Sequence, residues 1–116
     1  MPAAQKQIEH PERVDIQLPA VLHALSDPVR LMIVASLDEG HDLAPTCVSI
    51  ALPVTKSTCT HHFKVLREAG VIHQRPDGTS RRNTLRREDL DARFPGLLDA
   101  VLAAAPAAGA PLAAGR

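Results

Sequence analysis

Residues 56–82 read "KSTCTHHFKVLREAGVIHQRPDGTSRR", and the fold turns on how this stretch is parsed. Its first half places Cys59, Phe63, Val65, Leu66 and Ala69 at helical spacing, and Gly70 stops the repeat. The opposite face of that helix carries Ser57, Thr60, His61 and Lys64, three or four residues apart. Its second half alternates about Asp77-Gly78, a pair that favours the tight turn of a β-hairpin. A helix with one polar face therefore runs straight into an arginine-flanked hairpin. It could serve a DNA duplex, a metal ion held by Cys59 and the histidines, or only the chain's own core.

Upstream, "TCVSIAL" (46–52) carries apolar Cys47, Val48, Ile50 and Leu52. It predicts a short third helix of about two turns, or a strand, broken by Pro53, with Thr55 placed to cap the next helix. "VRLMIVASLDEG" (29–40) is apolar on nearly every side, at Val29, Leu31, Met32, Ile33, Val34 and Leu37. That pattern predicts the central core helix, entered through Asp27 as N-cap with Pro28 behind it and stopped at Gly40. "VDIQLPAVLHALSD" (14–27) places Val14, Leu18, Val21, Leu22 and Leu25 on one face, which predicts a first helix ending near Leu25. Downstream, "REDLDARFPGLLDAVLAAA" (87–105) predicts a last helix, kinked or broken at Pro95.

The expected order is helix, helix, short helix, tight turn, helix, hairpin, helix. That is a mainly α winged helix-turn-helix (α-α-α-α-β-β-α), with the hairpin as wing. The domain is expected over residues 13–105, after a loose polar tail at 1–12. The Ala/Pro/Gly-rich stretch at 106–116 should be disordered.

With 116 residues the chain is one domain's worth, and so small a core gains from a partner subunit. Phe63 and Phe94 are its only aromatic residues besides histidine, which argues against the stacking platforms of single-strand binders. The net charge is zero, but its distribution is uneven. From Lys56 to Arg87 eight basic residues face only Glu68 and Asp77, leaving +6 there and −6 elsewhere. A region of that sign can steer a polyanion. No apolar run approaches the ~18 residues of a membrane span, and the first residues lack a signal-peptide core. A cytoplasmic protein with no membrane partner is the expectation. Two cysteines make no disulfide framework, and in a reducing cytosol they are expected as free thiols.

"ALSDPVRLMIVASL" (24–37), followed by "STCTHHFKVLREAGVI" (57–72) and the arginine-flanked wing, resembles the ArsR family of bacterial winged-helix transcriptional regulators. The resemblance spans roughly Leu18 to Leu102, and "LREAGVI" is its most specific part. It implies that the helix beginning at Lys56 enters the major groove and offers Lys56, Ser57, Thr58, Thr60, His61 and Lys64 to a double-stranded operator. Short hydroxyl side chains allow close approach, and cations find phosphate or guanine. Arg75, Arg81 and Arg82 of the wing would reach the flanking backbone or minor groove. The resemblance also implies a homodimer, with Leu18, Val21, Leu22 and Leu25 meeting Leu97, Leu98, Val101 and Leu102 across the dyad. A repressor released by a signal is the implied role.

Many ArsR relatives sense metals through two cysteines separated by one residue, and the corresponding positions here hold Ala44 and Thr46. A second family site uses paired Asp/His and His/Glu ligands on the last helix. This chain has Asp89, Asp91 and Asp99 in that region and no histidine after His73. No cofactor is therefore expected, although Cys47, Cys59 and His62, with His41 and His61 near in sequence, have the donor types for a Zn or Ni site of another design. Against that, Cys59 and His62 fall on the core side of the helix, where a small thiol and a hydrogen-bonded imidazole are ordinary. Cys47 remains a candidate redox thiol, although no basic residue nearby in sequence would lower its pKa. A Cys59–His62 pair could imitate a thiolate–imidazole couple, but the chain offers no third orienting group and no glycine-rich anion loop, so catalysis is not expected. A winged helix that binds only protein is the remaining alternative.

Overall fold

The computed structural model describes residues 8–38, 56–77 and 80–105. A 3-10 turn at Arg13–Asp15 leads into α1 (Leu18–Leu25), α2 (Pro28–Asp38), α3 (Lys56–Ala69), β1 (Ile72–Asp77), β2 (Ser80–Leu85), α4 (Arg87–Arg93) and α5 (Leu97–Ala104). The described part is mainly helical with one two-stranded antiparallel sheet, as the sequence implies. The expected third helix and its Thr55 cap lie outside the described residues, as do residues 1–7 and the 106–116 tail.

The chain turns by about 100° between α1 and α2. Asp27 makes that corner, because its Oδ1 accepts from the backbone N–H of Val29 at 2.7 Å and of Arg30 at 3.2 Å. This satisfies donors that the first turn of a helix leaves without intrahelical partners. Every residue from Met32 to Leu37 is buried, so α2 is the core helix that its all-round apolar pattern predicts. Ile16, Val21, Ala24 and Leu25 pack against it from one side, Cys59, Phe63, Leu66 and Ala69 from α3, and Leu90 and Leu98 from the last two helices.

The end of α3 is set by Gly70. Its N–H donates to Arg67 O and that of Val71 donates to Leu66 O, both at 3.0 Å, the paired bonds of a Schellman cap. Gly70 adopts φ +89°, and a Cβ there would sit 2.6 Å from Ile16 Cγ1. The chain thus needs glycine twice over: for the left-handed turn into the wing, and for the approach of Ile16.

In the hairpin Ile72 faces Leu85, Gln74 faces Asn83 and Arg75 faces Arg82. Asp77 pairs with Ser80, leaving two residues to close the hairpin, as the Asp-Gly signal implies. The last helical segment is broken: α4 ends at Arg93, and Gly96 with φ +84° starts α5 in a new direction. Arg87 ties this region to the core helix by pairing with Asp38 of α2 at 2.7 Å, Asp91 at 3.4 Å, and Asp99 of α5.

Two expectations need correction. Val14 does not extend α1; it stands in the 3-10 turn and is 72% exposed. Residues 8–12 are not loose, since His10 Nε2 accepts from the Gln74 N–H at 2.9 Å and Pro11 O accepts from Arg86 Nη1 at 2.7 Å. The His10 ring also stacks on His73 with centroids 4.2 Å apart. The partners lie more than sixty residues away, so the local sequence carries no sign of this docking.

Candidate nucleic-acid interface

Successive residues on a helix turn by about 100°, and α3 shows the split that this requires. Thr58, Thr60, His61 and Lys64 are exposed, whereas Cys59, His62 and Phe63 are buried. Lys64 Nζ lies 3.7 Å from Glu68 Oε2 with both side chains more than half exposed. Such a pair contributes little and leaves the ammonium able to meet a phosphate. Lys56 and Ser57 open α3 and Arg81 lies in β2, but their side chains fall outside the described atoms.

The wing shows the same two-sided logic with period two. Ile72, Gln74 and Asn83 are buried, and His73, Arg75 and Thr84 are exposed. Arg75 and Arg82 face each other directly in the register.

What fixes the wing against α3 was not legible in the sequence. Arg67 of α3 donates through Nη1 to Gln74 Oε1 at 2.9 Å, and Gln74 Nε2 donates to Asn83 Oδ1 at 2.7 Å. Gln74 and Asn83 are almost wholly buried, so this chain of amides is shielded from water. Amide side chains are ordinarily found at the surface. Only the alternation with Ile72 could have placed them on the inner face.

The basic segment is correspondingly less available than its count of charges implies. Arg67 is tied to Gln74, Arg86 to Asp89 and Pro11, and Arg87 to three carboxylates. These are structural arginines. Burial pushes the Asp89 carboxyl up, but hydrogen bonds from Arg13 and Arg86 outweigh it and hold the group below its ordinary range.

The residues expected at a dimer interface divide into two groups. Val21, Leu25 and Leu98 are at most 5% exposed and belong to the chain's own core, which corrects their assignment to an outer face. Leu18 and Leu22 are 40% and 46% exposed. Leu97, Val101 and Leu102 are partly buried against the core. An apolar stripe of α1, with Val14 beside it, is thus turned outward.

Cys59 is 2% exposed, as expected of a core position, but its sulfur is disulfide-bonded rather than a free thiol. The only other cysteine in the chain is Cys47, which lies outside the described residues. The Nδ1 of His62 is engaged by Arg30 at 3.1 Å. Neither group therefore stands ready as a metal ligand, and among the described residues no group of three or more His, Cys, Asp or Glu side chains is placed to hold a metal ion. No single described helix is long and apolar enough to cross a membrane.

Comparison with known proteins agrees with this geometry. Residues 25–75, from the end of α1 into the wing, match a family described as a helix-turn-helix domain. An uncharacterized HTH-type transcriptional regulator of Bacillus subtilis, YceK, is 35% identical over 80 residues, covering 68% of this chain and 80% of YceK. The chain belongs to the ArsR-like winged helix-turn-helix transcriptional regulators. An archaeal HTH-type transcriptional regulator from Methanocaldococcus jannaschii, MJ1325, is 32% identical over 59 residues, or 51% of this chain and 66% of that one. A crystal structure described as a possible transcriptional regulator for arsenical resistance matches with TM-score 0.57 at 28% identity. It covers 70% of this chain and 82% of its own. In this DNA-binding regulator the β1–β2 hairpin that follows α3 is the wing.

Proposed function

We propose that this regulator binds a double-stranded operator as a homodimer in the cytoplasm and represses transcription until a signal releases it. The observation that carries the DNA contacts is the joint exposure of Thr58, Thr60, His61 and Lys64 along α3 beside the facing Arg75 and Arg82 of the wing. Hydroxyls and an imidazole on a helix offer hydrogen bonds to base edges, while Lys64 and the wing arginines take phosphates. Lys56, Ser57 and Arg81 join that surface by their positions in α3 and β2. The outward-turned Val14, Leu18 and Leu22 support dimerisation, and Leu97, Val101 and Leu102 of α5 are only partly buried. A two-fold dimer would place two α3 helices in successive major grooves, about one helical turn apart.

The test is footprinting on the DNA upstream of the chain's own gene, with sedimentation at the same concentrations. Two protected half-sites spaced by roughly one turn of about 10 bp, bound by a dimer, are expected. A monomer that protects nothing contradicts the proposal.

A second reading concerns the signal. The disulfide at Cys59, on the reading helix itself, favours thiol oxidation over metal binding. Two thiols would lose two protons and two electrons to a peroxide, giving a disulfide and water. Operator affinity should then differ between dithiothreitol-reduced and peroxide-treated protein, and Cys47→Ser should abolish the difference. Equal affinities of the two forms would rule this signal out.

A further inference from the structure

Arg30 and His62 meet where α1, α2 and α3 come together, and only 7% and 8% of their surfaces are exposed. Arg30 Nε donates to Ala24 O at 2.6 Å and Nη2 donates to His23 O at 3.2 Å, so the guanidinium closes the C-terminal end of α1. Its Nη1 lies 3.1 Å from His62 Nδ1. A guanidinium has donors only and keeps its charge, so Nδ1 must supply the lone pair. The imidazole is therefore neutral, with its proton on Nε2. One buried cation thus links the end of α1, which carries the outward apolar stripe, to the inner face of α3, which presents His61 and Thr60 outward.

We propose that Arg30 and His62 are positioning residues for DNA binding: a strut that seats α3 against α1 only while His62 is neutral, so that proton uptake by His62 weakens operator affinity. The proposal rests on α3 being the reading helix. A proton on Nδ1 would set one N–H donor against another and put a second cation beside the guanidinium in a dry site. The charged and titratable groups that act on the ring are Asp27 and Arg30 from the α1–α2 corner and His61 from α3. Asp27 attracts a charge on the ring, while its Oδ1 accepts from the backbone N–H groups of Val29 and Arg30. Burial holds the His62 imidazole below its ordinary range; Asp27 opposes this, and Arg30 and His61 add to the lowering. The double histidine at 61–62 divides into an outward and an inward group.

The variant that separates them is His62→Asn. An asparagine amide can accept from Arg30 near the Nδ1 position and does not titrate. Operator affinity of the full chain is measured by fluorescence anisotropy between pH 7.5 and 5.5. At pH 7.5 His62→Asn should bind nearly as the wild type does, and His62→Leu, which cannot accept, should bind several-fold more weakly. As the pH falls, the wild type should lose affinity relative to His62→Asn, approaching about tenfold per pH unit, the limit for one linked proton. Parallel pH profiles for wild type and His62→Asn would overturn the proposal, as would full affinity of a folded His62→Leu. Should a variant fail to fold, ring nitrogen NMR of the wild type decides the question. Protonated Nε2 with bare Nδ1 at pH 7.5 and a pKa under 6.5 support the strut, and protonated Nδ1 refutes it. A wild type that binds no operator at pH 7.5 defeats the functional reading instead, and the NMR result still stands apart from it.

Discussion

Replacing Gly70 by alanine should test how closely α3, the wing and the N-terminal segment are packed. Two costs add. A residue with a Cβ at φ +89° pays roughly 1–2 kcal/mol for the left-handed conformation. The new methyl would lie 2.6 Å from Ile16 Cγ1 and 3.0 Å from Ile16 Cδ1. Ile16 is 1% exposed and enclosed by the core, so it must leave its rotamer or push its neighbours, at about 1–3 kcal/mol. The sum, about 2–5 kcal/mol, is a large share of the ~5–15 kcal/mol that holds a small domain together. Gly96→Ala supplies the control. Gly96 has φ +84°, yet nothing lies within 4 Å of a Cβ built there, so only the conformational cost should appear. Urea unfolding followed by circular dichroism measures both, and the difference between the variants isolates the Ile16 contact. Equal destabilisation by the two substitutions would refute the packing argument, and a Gly70→Ala variant as stable as the wild type would refute both parts.

Other consequences can be checked with the same equipment. Asn83→Ala leaves the buried Gln74 amide without its acceptor and should cost about 1–3 kcal/mol in urea unfolding, whereas an exposed wing asparagine would cost almost nothing. Leu22→Asp, on the outward face of α1, should leave a folded protein that sediments as a monomer; Leu98→Asp buries an unpaired charge and should abolish the fold. Burial lowers the pKa of both His10 and His62 from an ordinary 6.5, and for His10 the charges of His73, Arg86 and Arg67 add to this. Below that pH the unfolded chain binds more protons than the folded one. Thermal stability should therefore be fully present above about pH 6.5 and fall as the solution is acidified through the folded values, a trend that His10→Asn and His62→Asn together should flatten.

The parts of the fold that depend on near neighbours were legible in the sequence. Asp27-Pro28 caps its helix because the bonds it makes reach only two or three residues onward. The division of α3 into exposed Thr60 and His61 against buried Cys59 and His62 follows from helical rotation alone. The parts that depend on distant partners were not legible. Periodicity marks Leu18, Val21, Leu22 and Leu25 as one apolar face, but it cannot say that Val21 and Leu25 meet the chain's own core while Leu18 and Leu22 look outward. A count of basic residues cannot separate Arg75 of the wing from Arg87, whose partners stand as far away as Asp38. Gln74 and Asn83 have the composition of surface positions, and only their pairing across the hairpin, with Arg67 behind them, makes them interior.

The central claim is that α3 reads sequence while the wing grips the backbone, and a salt titration of DNA binding tests it most directly. Wild type, Thr60→Ala, His61→Ala and Arg82→Ala are titrated onto the upstream operator and onto a scrambled duplex at several salt concentrations. Arg82→Ala should weaken binding to both duplexes alike and reduce the salt slope by about one for the lost phosphate contact. Thr60→Ala and His61→Ala should keep the slope and lose discrimination, by about 1–3 kcal/mol where a base contact is removed. Unchanged discrimination in both α3 variants, together with an unchanged slope in Arg82→Ala, would contradict the account.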